Sequence, residues 1–206
     1  LYVSHNMNTI RQLCDRCIVL DKGKVVFEGD VESAIDVYMG NTYNPNCHLI
    51  YTKPYHTMKH AVDSFTIHSL DILNQDTCSC KPNGVLDLQL SCTTTKQWDN
   101  VKLRFEVRYQ DGAKAGTMFA NKPTSFAAND VKTIQMCMDT SHLAPGRYII
   151  DIVAYIFNEF GNEQFLDGVY PGLILDIDSS IDDTNELQWN HMYWGHTHLH
   201  DLDVQN

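Results

Sequence analysis

Hydrophobic and polar positions change rhythm twice along this chain. Up to about residue 42 the pattern is mixed. Leu1–Val3 reads as the end of a strand, and Met7–Cys14 carries helical spacing with Ile10 and Leu13 on one face. Cys17-Ile18-Val19-Leu20 and Val25-Val26-Phe27 flank Asp21-Lys22-Gly23-Lys24. Two apolar runs about a glycine-containing turn predict a β-hairpin. Asp30 then offers an N-cap for a helix from Val31 to about Met39, with Glu32 in its first turn and Gly40 at its far end. From Asn41 to about Ala61 the residues Asn, Pro, Tyr and His dominate, and Pro45 and Pro54 interrupt any helix. Residues 43–61 therefore read as a linker, packed in part through its tyrosines.

From Val62 onward the period is two. Phe65–Leu73 alternates loosely, and Val85–Leu90 sets Leu86, Leu88 and Leu90 on one face. Lys102–Tyr109 is cleaner, with Leu103, Phe105, Val107 and Tyr109 inward and Lys102, Arg104, Glu106 and Arg108 outward. Arg104, Glu106 and Arg108 read as a solvated face. Val131–Met138 turns Ile134, Met136 and Met138 inward, and Arg147–Phe157 forms a long strand after the Pro145-Gly146 turn. Phe165–Val169, Leu173–Ile177 and Thr197–Val204 are further candidates. Short strands separated by turn signals predict an antiparallel sandwich over residues 62–206.

Charge narrows the function classes. A formal net charge of -11 opposes nucleic acid, whose phosphates need clustered Lys and Arg. It equally opposes unaided binding to an anionic membrane. No apolar run approaches the roughly 18 residues of a membrane span. Association with a membrane would go through another protein. The 7 cysteines are odd in number and irregularly spaced, which reads as free thiols in a reducing cytosol. Cys14-x-x-Cys17 reads as core packing, and Cys78-x-Cys80 is too closely spaced for ordinary zinc ligation.

The opening segment resembles the carboxyl-terminal end of an ABC transporter ATPase domain. The match is carried by Val3-Ser4-His5-Asn6, a helix, then Cys14-Asp15-Arg16, Ile18-Val19-Leu20, Gly23-Lys24, Gly29-Asp30 and a helix ending at Tyr38. The resemblance implies that His5 is the switch histidine of a parent ATPase, where imidazole orders an attacking water and a phosphate oxygen. No G-x-x-x-x-G-K-[ST] loop occurs, and no LSGGQ-like signature or apolar strand ending in Asp-Glu precedes His5. The expectation is of a chain that begins in mid-domain, does not hydrolyse ATP and carries no cofactor of its own, ATP and Mg belonging to the longer parent.

The later part resembles the Wzt-type family, ATP-binding subunits of polysaccharide exporters that carry a carbohydrate-binding sandwich at the carboxyl end. The matching residues are Tyr109-Gln110-Asp111-Gly112, Gly116-Thr117, Phe119-Ala120-Asn121, Leu143-Ala144-Pro145-Gly146-Arg147-Tyr148, Asp167, and Trp189, Trp194 and Gly195. The resemblance implies three segments: an ABC nucleotide-binding remnant at 1–42, a linker at 43–61, and a carbohydrate-binding domain at 62–206. The fold class is mainly β, an antiparallel immunoglobulin-like or jelly-roll sandwich after a short α/β remnant. The implied partners are a polysaccharide, a transmembrane permease and a second copy of the chain. The implied location is cytoplasmic, peripheral at the inner face of the cell membrane through the permease.

Sugars present C–H faces that stack on aromatic rings and hydroxyls that planar polar groups read. One face of the strand at 147–157 carries Arg147, Ile149, Asp151, Val153, Tyr155 and Phe157. Arg147, Asp151, Tyr155 and Phe157 are therefore candidate sugar-binding residues. The same strand could instead be buried on both sides or covered by a dimer partner. Trp98, between Gln97 and Asp99 in a loop-like stretch, could contact sugar or staple the end of the sandwich. His196, His198 and His200 fall at strand spacing and could ligate zinc with Asp201 or Asp203. Side chains diverge along one extended strand, so the expectation is of no metal and a solvent-facing or dimer-facing row. The function expected is recognition of an O-antigen-like or other cell-surface glycan for export. The alternatives are a dimerisation module without a sugar site and, behind it, a metal-dependent enzyme.

Overall fold

The glycine between the two short apolar runs sits at φ 78°, and the runs pair as a hairpin. β1 (Cys17–Asp21) lies antiparallel to β2 (Lys24–Gly29), with a register shift between Val19 and Leu20. This computed structural model describes residues 2–3, 10, 13–21, 23–38, 47–56, 61–76, 78–80, 84–178 and 189–199. The chain divides into two units, Leu1–Pro45 and Asn46–Asn206. In the first, α1 (Val31–Tyr38) follows the hairpin, and the Ser33 N–H donates to Asp30 Oδ1 at 2.9 Å, the N-cap that the sequence predicts. Tyr2 and Val3 have no regular structure where a strand end is expected. Of Met7–Cys14 only Ile10, Leu13 and Cys14 are described, and the Cys14 N–H donates to the Ile10 carbonyl at 3.0 Å. His5 lies outside the described residues.

The second unit is an antiparallel β-sandwich. Its strands are β3 (His48–Ile50), β4 (Phe65–Ile72), β5 (Ser79–Cys80), β6 (Val85–Thr94), β7 (Trp98–Tyr109), β8 (Lys114–Phe119), β9 (Thr124–Phe126), β10 (Val131–Asp139), β11 (Gly146–Phe157) and β12 (Glu163–Ile177). Among the described residues one sheet runs β10-β6-β4-β3. The other runs β5-β12-β11-β7-β8, with β9 also paired to β7. Among the described residues every pairing is antiparallel except β12 with β5. The inward sets of β6, β7 and β11 meet in one apolar core, including Leu88, Leu90, Phe105, Tyr148 and Ile152.

Three elements differ from the alternation pattern. Within the stretch read as a linker, β3 pairs with β4, and a 3-10 turn at Lys53–Tyr55 follows. Tyr51 is buried there, and its hydroxyl donates to the Gly172 carbonyl. The candidates at 165–169 and 173–177 are a single strand, β12. Residues 170–172 bulge out opposite Asp151, because Ile150 pairs with Leu173 and Ile152 with Val169. At the carboxyl end, α2 (His191–Trp194) precedes an isolated bridge from Thr197 to Leu143 rather than a strand. Residues 200–206 lie outside the described residues.

Candidate functional site

Four neighbouring strands of the larger sheet turn alternate side chains away from the core. Register on β7 and β11 sets Lys102 beside Tyr155, Arg104 beside Val153, Glu106 beside Asp151 and Arg108 beside Ile149. β8 adds Phe119 beside Arg104 and Thr117 beside Glu106. β12 adds Phe165 beside Tyr155 and, through its bulge, brings Tyr170 to the row of Asp151.

Arg104 is the hub of this face. Its Nε donates to Glu106 Oε1 at 2.7 Å and its Nη1 to Glu163 Oε2 at 2.8 Å. The guanidinium carbon lies 5.0 Å from the Tyr155 ring centre and 5.5 Å from that of Phe165. Only 13 % of the Arg104 side chain is exposed. Burial works against its charge, and the hydrogen bonds to Glu106 and Glu163 outweigh burial, so its proton is held more tightly than usual.

Arg108 grips Asp151 through both carboxylate oxygens, Nε to Oδ2 and Nη2 to Oδ1, each at 2.8 Å. Asp151 is 3 % exposed. Burial raises its carboxyl above the ordinary range, Arg108 pulls it back, and the charge of Glu106 adds to the rise. The Tyr170 phenol is pushed up to about 12, first by burial and then by the charges of Glu106 and Asp151. It therefore stays a donor.

Each predicted sugar-binding residue has a definite place. Tyr155 faces outward but is 4 % exposed, because the Arg104 guanidinium lies over it. Phe157 is 48 % exposed, meets the Tyr155 ring edge-on at 5.7 Å, and holds Lys102 Nζ 4.7 Å from its centre. Asp151 is locked to Arg108. Arg147, at the opposite end of β11 from Phe157, donates to both oxygens of Asp176 at 2.7 and 3.1 Å. Trp98 opens β7 opposite Phe126 and packs against the core. Its indole N–H is buried and has no hydrogen-bond partner among the described residues.

The reading of Arg104, Glu106 and Arg108 as a solvated face is corrected. All three are only partly exposed and form an ion-paired layer with Asp151 and Glu163. The alternation along β7 is the same for a solvated row and for a paired one. The partners lie 43 and 59 residues further along, and register alone brings them close. Phe165 and Tyr170 reach the face in the same way.

His196 and His198 do not lie on a strand. His196 and His191 each lie 4.2 Å from the Tyr109 ring, and their Nδ1 atoms are 3.0 Å apart. The ring of His198 packs on Trp189 at 5.2 Å. His200, Asp201 and Asp203 lie outside the described residues. Among the described residues no group of three or more His, Cys, Asp and Glu is placed to hold a metal ion.

A two-layer antiparallel sandwich with a charged, ring-lined outer face defines the class. Among solved structures, the chain is similar to one described as the C-terminal domain of Wzt. The TM-score is 0.56 and the identity 17 %, over 76 % of this chain and 97 % of that one. The fold is therefore that of the Wzt C-terminal domain. Weaker likenesses include the Pseudomonas fluorescens alkylpurine DNA glycosylase AlkC at TM-score 0.39 and 13 % identity, over 56 % of this chain and 31 % of that one. A Niemann-Pick type C2 protein from Japanese carpenter ant follows at TM-score 0.38 and 9 % identity, over 59 % and 98 %. No protein-family model and no curated protein matches the chain.

Proposed function

We propose that this chain recognises a cell-surface polysaccharide for export by an ABC transporter, as the C-terminal module of the transporter's ATP-binding subunit. The observation that carries the reading is the outer face of the larger sheet. It combines an exposed phenylalanine, partly exposed Phe165 and Tyr170, and guanidinium–carboxylate pairs fixed in place. Rings receive the C–H side of a pyranose, and fixed forks read its hydroxyls. The likeness to the C-terminal domain of Wzt supports the same reading at the level of fold. In this reading the chain binds rather than catalyses. ATP and Mg act in the longer ATPase, and a permease and a second copy of the chain are its protein partners at the cytoplasmic side of the membrane.

The test is a heat titration of the chain with the surface polysaccharide of the organism that carries it, with and without EDTA. Saturable binding indifferent to EDTA is expected. Phe157→Ala should weaken it about tenfold at most, since one aromatic contact is worth ~0.5–1.5 kcal/mol. A folded dimer that binds no polysaccharide would overturn the proposal in favour of a dimerisation module. Binding abolished by EDTA would point to a metal site in its place.

A further inference from the structure

We infer that this face takes an uncharged sugar and excludes repeats bearing uronate or phosphate. The inference rests on the glycan reading above and names the ligand class of that same site. Capturing a carboxylate or phosphate needs guanidinium or ammonium donors that are not already committed to a carboxylate. On this face Arg104 is held by Glu106 and Glu163, Arg108 by both oxygens of Asp151, and Arg147 by both oxygens of Asp176. Admitting an anion to Arg108 would strip a carboxylate that is 3 % exposed of its partner, which is costly.

The two lysines do not repair this. Lys102 sits over Phe157, while Lys114 lies beside Arg108. The six-residue stretch of β7 between those two rows spans ~20 Å, so the lysines form no shared anion site. The chain as a whole carries a net charge of -11, which repels a polyanion before contact. Neutral hydroxyls suit what is present. A hydroxyl both donates and accepts, and each arginine–carboxylate pair offers a donor edge next to an acceptor edge.

The experiment has two arms, both at about 0.15 M salt. In the first, the chain is titrated with neutral hexose, 6-deoxyhexose and N-acetylhexosamine oligosaccharides. In the second, the chain and its Glu106→Gln/Glu163→Gln variant are titrated with polygalacturonate and with a glycerol-phosphate polymer. The expected result is binding of at least one neutral sugar by the parent and no binding of either polyanion. The variant, with Arg104 uncompensated, should gain about tenfold or more for polygalacturonate, and the gain should fade as salt rises. Glu163→Gln alone is the fallback where the double variant does not fold, and it should show a smaller gain of the same kind. Polyanion binding by the parent, or no gain in a folded variant, overturns the inference and leaves the glycan reading standing. Failure of the parent to bind any neutral sugar or either polyanion overturns the glycan reading itself.

Discussion

Trp98 and Gly172 carry opposite costs at the level of single side chains. The Trp98 indole N–H is buried with no partner among the described residues, a penalty of ~1–3 kcal/mol for an amide-like donor. Trp98→Phe removes that penalty at the expense of roughly 1 kcal/mol of ring burial. The expected melting temperature is therefore unchanged or slightly raised, and a clear drop in a thermal melt would contradict the orphan-donor account. Gly172 lies in the β12 bulge, where a Cβ would stand 2.6 Å from Ile152 Cγ1 and 3.1 Å from the Ile150 carbonyl oxygen. Ile152 is fully buried, so neither neighbour can retreat freely. Gly172→Ala should cost ~1–3 kcal/mol by overpacking, read as a lower denaturant midpoint at unchanged slope.

The carboxyl-terminal segment is the element most exposed to pH. The His191 Nε2–H donates to the Pro145 carbonyl at 2.7 Å, and a carbonyl can only accept. His191 is thereby left with Nδ1 as an acceptor, and His196 Nδ1 supplies the proton between the two rings. Burial lowers the His196 pKa below 6.5, the charge of Asp111 opposes that, and His191 reinforces it. The folded state thus prefers the neutral ring. Its contribution to stability is present above about pH 6.5 and is lost as pH falls through the depressed value. Trp189 donates to the Gly195 carbonyl beside this pair and reports on it. Tryptophan emission should change between about pH 7.5 and about pH 5.5, and His196→Gln should flatten that change. A step of equal size in the variant would remove His196 as its cause.

For the sandwich as a whole, Asp167 is the tie between the layers. It is 4 % exposed on β12, yet Oδ2 accepts the Ile67 N–H of β4 in the other sheet at 2.8 Å, and Oδ1 lies 2.9 Å from His56 Nδ1. The Ile67 N–H is available because β4 shifts register between Ile67 and Ser69. Asp167→Asn keeps the shape but weakens charge-assisted bonds, at ~2–3 kcal/mol. A fall in melting temperature of about 5–10 °C is expected for a domain of this size. A shift under about 2 °C would mean that the core alone holds the sheets together.

Much of the architecture was legible in the order of residues. Alternation is a local property of a strand, so Leu103, Phe105 and Val107 could be assigned inward and Lys102, Arg104 and Glu106 outward without knowing any partner. The hairpin about Gly23 and the cap at Asp30 were equally local. The fate of the outward residues was not. Whether Arg104 is solvated or clamped depends on Glu163, 59 residues away, and whether Tyr155 can meet a ligand depends on Arg104 lying over it. Asp167 reaches across 100 residues to Ile67, and the clasp at Tyr109 joins His196, which the spacing sets in a strand-like row, to His191, which no such spacing singles out. Such pairings follow from register, bulges and the stacking of one sheet on another. A short stretch of sequence records which way a side chain faces, while its neighbours are chosen by strands folded in from far along the chain.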